Sequence, residues 1–401
     1  MKFERTLSLK NLRRKSARST ALILLSALLS LSMFGGAMIV SGLRNGLQSY
    51  EARLGADIVV VPSQARSKGT FESILLQGIP GMFYMDEAYY NKISSIDGVE
   101  VAAPQFYLSS TSAGCCSVPV QIIGFDPALD FTVQPWIRES YAQGLGDGDI
   151  IVGSDLTVPK NGTLTFYNTP CRVVAQLDQT GTGLDTAVYT NVQTIKNMIR
   201  NADALGFHYL NGLDPDQAVS SVMVRVADGF DLGKVTDDIN IHVRRVEASA
   251  AVNMISSISS GLTSVASIIK ILMVLIWVLA VTVLGIAFAM ISHERAKEFA
   301  ILRFMGASRG MVSRLLLTEG ALISVIGAVL GLTVASLIVF PFGNTISAAL
   351  ALPYLLPGTG TVAVLAAGSL ALSILVGSLT AAISAYRISR NDAGLVLREG
   401  V

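Results

Sequence analysis

The sequence predicts an α-helical membrane protein with four transmembrane helices and one large α+β extracytoplasmic domain between the first and second helix. Two observations carry this prediction: four long apolar segments, and Lys and Arg residues that gather beside only some of them. Composition agrees, because 51% of the 401 residues are hydrophobic and 15% are charged, against about 25% charged residues in an average globular chain. The net charge of +1 gives no sign of nucleic-acid binding.

The four apolar segments are residues 20–43, 271–292, 315–340 and 361–386. Each exceeds the roughly 20 apolar residues that a helix needs to cross a bilayer. A buried helix of a soluble protein is the alternative for each segment, but four such lengths argue against it. The first segment is longer than the apolar region of about 7–15 residues in a cleaved signal peptide, so we expect it to remain as an anchor.

The basic residues predict the orientation of the chain in the membrane. Lys and Arg are concentrated in residues 1–19, 293–314 and 387–401, whereas residues 341–360 contain neither. Basic loops stay on the cytoplasmic side of a membrane. We therefore expect both termini and the 293–314 loop in the cytoplasm, and residues 44–270 and 341–360 outside.

Residues 57–246 have the pattern of a soluble α+β domain. Strand-like runs rich in β-branched residues are bounded by Gly, Pro, Asp or Asn, and helical runs lie between them without regular βαβ alternation. A Gly-, Asp- and Pro-rich stretch at 128–150 is a candidate boundary between two subdomains. The predicted strands are 57–62, 99–107, 118–125, 149–152, 163–177 and 219–227, and the predicted helices are 86–96, 192–204 and 231–241.

Two amphipathic stripes connect this domain to the membrane segments, at residues 44–56 and 247–270. Apolar residues recur there every three or four positions, which is the spacing of one helix face. The stripes predict that the first two membrane helices extend outward and pack together as a stalk; the alternative is two separate helices that lie on the membrane or on the domain. The stripe residues are Leu43, Leu47, Tyr50 and Leu54, then Ile255, Ile258, Leu262, Val265 and Ile269.

The 293–314 loop predicts a short amphipathic helix. Residues 296–305 favour a helix, Gly306 suits its end, and Ser308 suits the N-cap of the next helix. Such a helix is either an anchor in the membrane interface or an insertion into a groove on a partner protein. Its charged face holds Glu294, Arg295 and Glu298, and its apolar end holds Leu302, Phe304 and Met305.

Three parts of the sequence resemble the FtsX-like (MacB-type) permease family. The opening 9–18 resembles the family's basic approach to its first span, and the ending 386–398 resembles its basic exit. The most specific part is the loop 294–308 followed by a helix with an embedded Glu. The residues that match the family pattern are Glu294, Arg295, Glu298, Leu302, Gly306, Ala307 and Glu319.

The resemblance implies a type VII ABC permease, with a MacB periplasmic-core-like domain at 57–246 and an FtsX-like permease domain at 293–401. It implies a bacterial inner or plasma membrane location and a dimer with a second permease copy or a paralogue. It also implies a separate ABC ATPase subunit that holds ATP and Mg²⁺, with no cofactor on this chain. ATPase coupling is then expected at Glu294, Arg295, Glu298, Leu302, Phe304, Gly306 and Ala307.

Members of this family use ATP to move a stalk and an outer domain, which is called mechanotransmission. Haem, metal, peptide and antibiotic are candidate substrates for export or release at the outer face. The sequence itself contains no G-x-x-x-x-G-K-[ST] phosphate loop and no recognisable catalytic triad or carboxylate pair. We therefore expect a transport subunit that is not an enzyme and whose ATP is hydrolysed by its partner.

Two features inside the spans draw attention. Glu319 is the only acid well inside a span, and an ionisable residue there has a function by default. Its place near the predicted cytoplasmic end favours a structural or coupling role over a proton relay. Gly327 and Gly331 have the four-residue spacing that permits close approach of two membrane helices.

The three cysteines, Cys115, Cys116 and Cys171, all fall in the predicted outer domain. An oxidising exterior favours a disulfide between Cys171 and one of the adjacent pair. The alternative is a thiol site for a soft metal or haem, whose metal the sequence does not specify.

Two other classes of protein compete with the permease. One is a membrane-anchored ligand-binding sensor or adhesin that is not driven by ATP. The other is a secondary transporter, which the absence of a chain of acids or histidines across the predicted spans disfavours.

Overall fold

The computed structural model describes residues 16–67, 70–110, 114–294, 301, 305, 308–341, 343, 345 and 352–390. The chain divides into two compact units. The membrane unit comprises Met1–Gly42, Ser264–Phe342 and Leu356–Val401, and the outer unit comprises Leu43–Thr263 and Gly343–Leu355.

Among the described residues, four helices are long and apolar enough to cross a membrane, judged by length and composition, which confirms the predicted number of spans. The first runs through residues 44–54 of the predicted stalk segment 44–56, and the second through residues 251–270 of the predicted segment 247–270. Residues 247–250 are not part of a stalk helix, because they belong to the strand Val246–Ala250 of the outer unit. The four helices are α1 (Ser16–Leu54), α8 (Ala251–Glu294), α9 (Arg309–Val339) and α10 (Thr359–Arg390).

Apolar clusters and close backbone contacts hold the described part of the membrane unit together. One cluster joins all four helices through residues such as Leu29, Leu284, Ile323 and Val376. In α9, Gly327 and Gly331 lie directly against α1: a Cβ on Gly331 would be 2.1 Å from the carbonyl oxygen of Ala27. The predicted close helix approach at this glycine pair is therefore present. The second cluster contains Phe34, Met38, Ala335 and Val339.

The outer unit contains a nine-stranded mixed sheet with the order β11-β1-β10-β3-β4-β8-β5-β7-β6 and a separate β2–β9 pair. The β4–β8 and β5–β7 pairs are parallel, and the other pairs are antiparallel. The strands are β1 (Ile58–Pro62), β2 (Met85–Asp86), β3 (Val99–Ser109), β4 (Gln121–Phe125), β5 (Asp149–Val152), β6 (Thr163–Phe166), β7 (Thr169–Gln176), β8 (Ala187–Asn191), β9 (Ala218–Val219), β10 (Ser221–Val226) and β11 (Val246–Ala250).

Both faces of this sheet are covered, because successive side chains of a strand point to opposite faces. Ile58 and Val60 lie in the core of the first face, and Val59 and Val61 lie in the core of the second face. The first face carries α4 (Glu87–Ser94), α6 (Val192–Ala204) and α7 (Leu232–His242). The second face carries α2 (Ser63–Ser67), α3 (Thr70–Gln77) and α5 (Gln134–Ser140) together with the ends of α1 and α8.

Several sequence predictions need correction. The run 163–177 is a hairpin of two strands, turned at Tyr167 and Asn168, whose φ angles are 49° and 58°. The stretch 128–150 does not separate two subdomains, because β4, which precedes it, pairs with β8, which follows it, in the same sheet. In the predicted extracytoplasmic loop at 341–360, the described residues 343, 345 and 352–355 are grouped with the outer unit, which adds to that prediction without contradicting it.

Candidate functional site

The predicted ATPase-coupling segment begins at the end of α8. Glu294 is exposed there and forms an ion pair with Arg18 near the start of α1. An exposed ion pair contributes about 0–1 kcal/mol, so this contact adds little to the stability of the membrane unit. The other coupling residues lie outside the described residues: Arg295, Glu298, Leu302, Phe304, Gly306 and Ala307.

The predicted coupling segment is followed in sequence by the start of α9. Ser308 caps that helix, and its side chain accepts a hydrogen bond from the amide of Met311, which is the role that the sequence predicts for it. Just before the cap, the Met305 amide donates to the carbonyl of Ile301 at 3.0 Å, and both side chains are exposed. Exposed apolar side chains beside a charged helix end are suited to a protein partner.

Glu319 lies on α9 and is half-buried. Leu315 and Ile323, one turn before and one turn after it, are buried in the membrane unit, so Glu319 is on the same side of α9 as these packed residues. This placement is compatible with the predicted structural or coupling role, which remains a prediction.

The ends of the two long helices are buried in the second face of the outer sheet. Tyr50 of α1 is 2% exposed and Ala251 of α8 is 3% exposed, and both belong to the same core cluster. Ile255 and Ile258 of the predicted stripe pack against that cluster. A displacement of either helix end would therefore act directly on the sheet, because close-packed cores transmit strain.

A buried polar network surrounds this contact. The Gln105 amide donates to Asp130 Oδ2 at 2.8 Å and to Thr132 Oγ1 at 2.9 Å, and the Tyr107 hydroxyl donates to Gln105 Oε1 at 2.9 Å. Desolvation by burial raises the pKa values of Tyr50 and Tyr107. Tyr50, Gln105, Tyr107 and Thr132 line a cavity of about 40 Å³, which has room for water but not for a transported substrate.

The segment 352–355, between α9 and α10, is fixed on the outer unit. The Tyr354 amide donates to the carbonyl of Gly181 at 2.8 Å, and the Tyr354 side chain is 3% exposed. A Cβ on Gly46 of α1 would be 2.4 Å from the carbonyl atoms of Pro353. The segment thus contacts both the 180–185 loop and α1.

Asp185 holds the 180–185 loop in the shape that receives Tyr354. Its carboxylate oxygens accept hydrogen bonds from the amides of Thr180 and Gly181, each at 2.7 Å. Desolvation by burial raises the pKa of Asp185, and those hydrogen bonds act in the opposite direction. Sequence reasoning missed this contact, because the only local signal was the Thr-Gly-Thr-Gly run and its partner lies far along the chain.

The three cysteines lie around the β6–β7 hairpin. The sulfur atoms of Cys115 and Cys116 are 3.3 Å apart, and Cys116 Sγ accepts a hydrogen bond from the Tyr167 amide at 3.4 Å. Cys171 is buried in β7, and burial raises its pKa to about 12. In the part of the chain that the structure describes, none of the three forms a disulfide.

The structure contains no candidate metal cluster within its described ranges, meaning no group of three or more His, Cys, Asp or Glu side chains placed to hold an ion. The predicted thiol or metal site at Cys115, Cys116 and Cys171 therefore has no further ligand to support it among those residues.

Comparisons with known families agree with this architecture. The family model of the FtsX-like permease C-terminal matches residues 270–393, and that of the MacB-like periplasmic core domain matches residues 21–241. The periplasmic region of MacB from Actinobacillus actinomycetemcomitans is similar, with 10% identity, coverage of 51% of this chain and 94% of that chain, and a TM-score of 0.31.

The extracellular domain of the noncanonic ABC-type transporter YknZ from Gram-positive bacteria is also similar, with 12% identity, coverage of 48% of this chain and 98% of that chain, and a TM-score of 0.30. No curated protein matches the chain. The core-domain match spans more than half of the 401 residues. The chain therefore belongs to the family of FtsX-like permeases with a MacB-like periplasmic core domain, which are permease components of ABC transporters.

Proposed function

We propose that this permease converts ATP hydrolysis on a separate ATPase subunit into movement of the outer unit, and that the movement exports or releases a substrate at the outer face. One observation carries the proposal: α1 and α8 are unbroken helices whose ends lie in the core of the outer sheet, at Tyr50 and Ala251. Haem, metal, peptide and antibiotic remain the candidate substrates.

Helix length supports this mode of action. At 1.5 Å per residue, the 39 residues of α1 and the 44 residues of α8 give lengths of about 58 and 66 Å. A hydrocarbon core is only about 30 Å thick. Each helix is therefore longer than a span requires, and its remaining residues are long enough to reach the sheet of the outer unit.

The ATPase is proposed to bind at the 294–307 segment, with both termini in the cytoplasm and two permease chains in the assembly. Glu294, Ile301 and Met305 are each exposed, and a segment with both charged and apolar exposed side chains is of the kind that inserts into a partner groove. ATP and Mg²⁺ would be held by that partner.

Charge reversal tests the ATPase contact. Glu294→Lys with Glu298→Lys is expected to abolish co-purification of the cognate ATPase and its stimulation in vesicles. Asp392→Lys in the C-terminal tail is the matched control for a reversed cytoplasmic charge and is expected to retain both. Full co-purification and stimulation with the double variant would refute the coupling assignment and favour a sensor or adhesin.

A helix break tests transmission separately. Ser260→Pro interrupts α8 between Ala251 and the apolar span, where a proline costs about 3 kcal/mol or more. We expect the ATPase to bind normally while ATP-dependent changes in hydrogen exchange of the outer unit disappear; Ser260→Ala is expected to behave like wild type. An unchanged response to ATP in Ser260→Pro would show that α8 does not transmit the motion.

A further inference from the structure

The outer unit has a second, larger cavity of about 500 Å³, distinct from the one beside Tyr50. This volume falls within the range of about 300–1,000 Å³ that is typical of small-molecule sites. Four separate parts of the chain meet around it: the β1 end with α2, the segment before β2, the turn after α6, and the turn before β11. Its lining comprises Pro62, Gln64, Ala65, Met82, Phe83, Tyr84, Tyr209, Leu210, Asn211, Leu213 and Arg245.

The aromatic walls of this cavity are held in place by contacts behind them. The Tyr84 hydroxyl donates to the carbonyl of Tyr107 at 2.8 Å. Phe83 stacks on Tyr107 with ring centroids 5.4 Å apart. Tyr209 stacks on Phe207 at 5.8 Å, and its hydroxyl lies 3.2 Å from that of Tyr167. The walls are therefore preformed, which lowers the entropic cost of binding.

The charged side chain at the mouth of the cavity is an arginine. Arg245 is exposed there, and it is the only charged side chain among the described residues that line the cavity. Within the same described residues it forms no salt bridge. Its guanidinium is thus available to an anion, which it can bind through two parallel hydrogen bonds.

The backbone at Arg245 is in an uncommon conformation. Its φ angle is 69°, in the left-handed region that favours glycine or asparagine. The Arg245 carbonyl accepts a hydrogen bond from the Ser63 amide at 3.0 Å, and the next residue, Val246, pairs with Pro62. These contacts fix the guanidinium-bearing residue at the cavity rim. A strained non-glycine residue held by its surroundings is a recurrent feature of functional sites.

We infer that this cavity binds an amphipathic organic carboxylate, with the apolar body against Phe83, Tyr84 and Tyr209 and the carboxylate on Arg245. A short apolar peptide with a free C-terminus has this chemistry. The inference does not depend on ATP coupling, because binding is measured without nucleotide, so its failure would leave the proposed function intact.

The test uses a photoreactive peptide on the full-length protein in nanodiscs. The probe is acetyl-Leu-(4-benzoyl-Phe)-Leu with a free carboxylate, and its matched control is the same peptide as the C-terminal amide. The amide is the more apolar of the two and partitions better into lipid, so nonspecific labelling would favour the amide. Labelled peptides are located by mass spectrometry over a range of probe concentrations.

The expected result is saturable labelling of the segments that contain Met82 or Tyr209, suppressed by excess acetyl-Leu-Phe-Leu. We expect the acid to half-saturate at a concentration about tenfold lower than the amide, because a charge-assisted contact with an exposed arginine is of that size. In Arg245→Asn, which keeps a residue suited to the left-handed backbone, the acid and the amide should label equally.

The neighbouring residue provides the control for net charge. Arg244 is exposed but does not line the cavity, so Arg244→Ala should keep the tenfold preference. The proposal is overturned if the acid has no advantage in the wild-type protein, if its advantage persists in Arg245→Asn, or if labelling falls outside the cavity segments. Circular dichroism and a thermal unfolding curve check that each variant is folded.

Discussion

The contact between Gly181 and the 352–355 segment predicts a specific response to one added methyl group. Gly181 has a φ angle of 72°, and a Cβ there would lie 2.3 Å from the carbonyl oxygen of Tyr354 and 2.9 Å from Leu355 Cβ. The Gly181→Ala variant is therefore destabilised in two ways. Its alanine must adopt the left-handed conformation, and its methyl group overlaps the Tyr354 backbone, which cannot turn aside as a side chain could. The overlap can be relieved only by moving Tyr354 off the loop.

The magnitude follows from what is lost. A left-handed alanine costs about 1–2 kcal/mol. Undocking removes the hydrogen bond from the Tyr354 amide to the Gly181 carbonyl, about 1 kcal/mol, and exposes part of the buried Tyr354 ring, about 1 kcal/mol or more. We expect the free energy for local opening of the 352–355 segment to fall by about 2 kcal/mol, which is about a 30-fold increase in opening.

Hydrogen exchange measures that opening directly. Amides in the peptide that contains residues 352–355 should exchange about 30-fold faster in Gly181→Ala than in wild type. Gly229→Ala is the matched control, because Gly229 has a φ angle of 90° with nothing within 4 Å of its added Cβ. It meets the backbone cost alone and should leave that peptide unchanged. Equal exchange of the peptide in both variants would show that the segment is not docked on Gly181.

Two further predictions concern packing and thiol chemistry. Gly331→Ala places a methyl group 2.1 Å from the Ala27 carbonyl and should lower the thermal midpoint in detergent by separating α1 from α9, at a cost of about 1–3 kcal/mol. Gly368→Ala is the control, because the added methyl group has nothing within 4 Å, and it should leave the midpoint unchanged. Equal midpoints for the two variants would contradict the packing of α1 on α9. At pH 8, maleimide should modify the half-buried Cys115–Cys116 pair quickly and Cys171 slowly, because the buried Cys171 thiol with a pKa of about 12 stays protonated. The rate of modification at each cysteine is followed by mass spectrometry. Equal rates at all three cysteines would contradict the burial of Cys171.

The sequence predicted best where the structural cause is local. The four spans follow from apolar length alone. Helix α6 begins and ends where the sequence predicts, at Val192 and Ala204, because Asn191 caps it and accepts a hydrogen bond from the Thr194 amide at 2.8 Å. Ser308 is a second cap of this kind. In both cases a single side chain satisfies a backbone group a few residues away, which a pattern search can detect.

The sequence predicted poorly where the cause is distant. Strand β8 was missed because it is held by parallel pairing with β4, more than sixty positions earlier. The hairpin at Tyr167 and Asn168 was missed because neither residue is glycine, although both have positive φ angles. Two other features were missed because they depend on segments that are distant in sequence and come together only in the folded protein. They are the docking of Tyr354 on Gly181 and the meeting of four chain segments around the cavity beside Arg245.

The neighbouring positions of β1 and β11 have a consequence for how such chains can be recombined. Ile58 pairs directly with Ala250, so the first and last strands of the outer sheet lie side by side. An inserted domain with adjacent ends has the same arrangement. A domain with adjacent ends can be exchanged for another without changing the spacing of the helices that carry it. The 352–355 segment sets a condition on any such graft: a transplanted domain needs its own matching loop between the third and fourth helices, so functional chimeras should require two joined replacements instead of one.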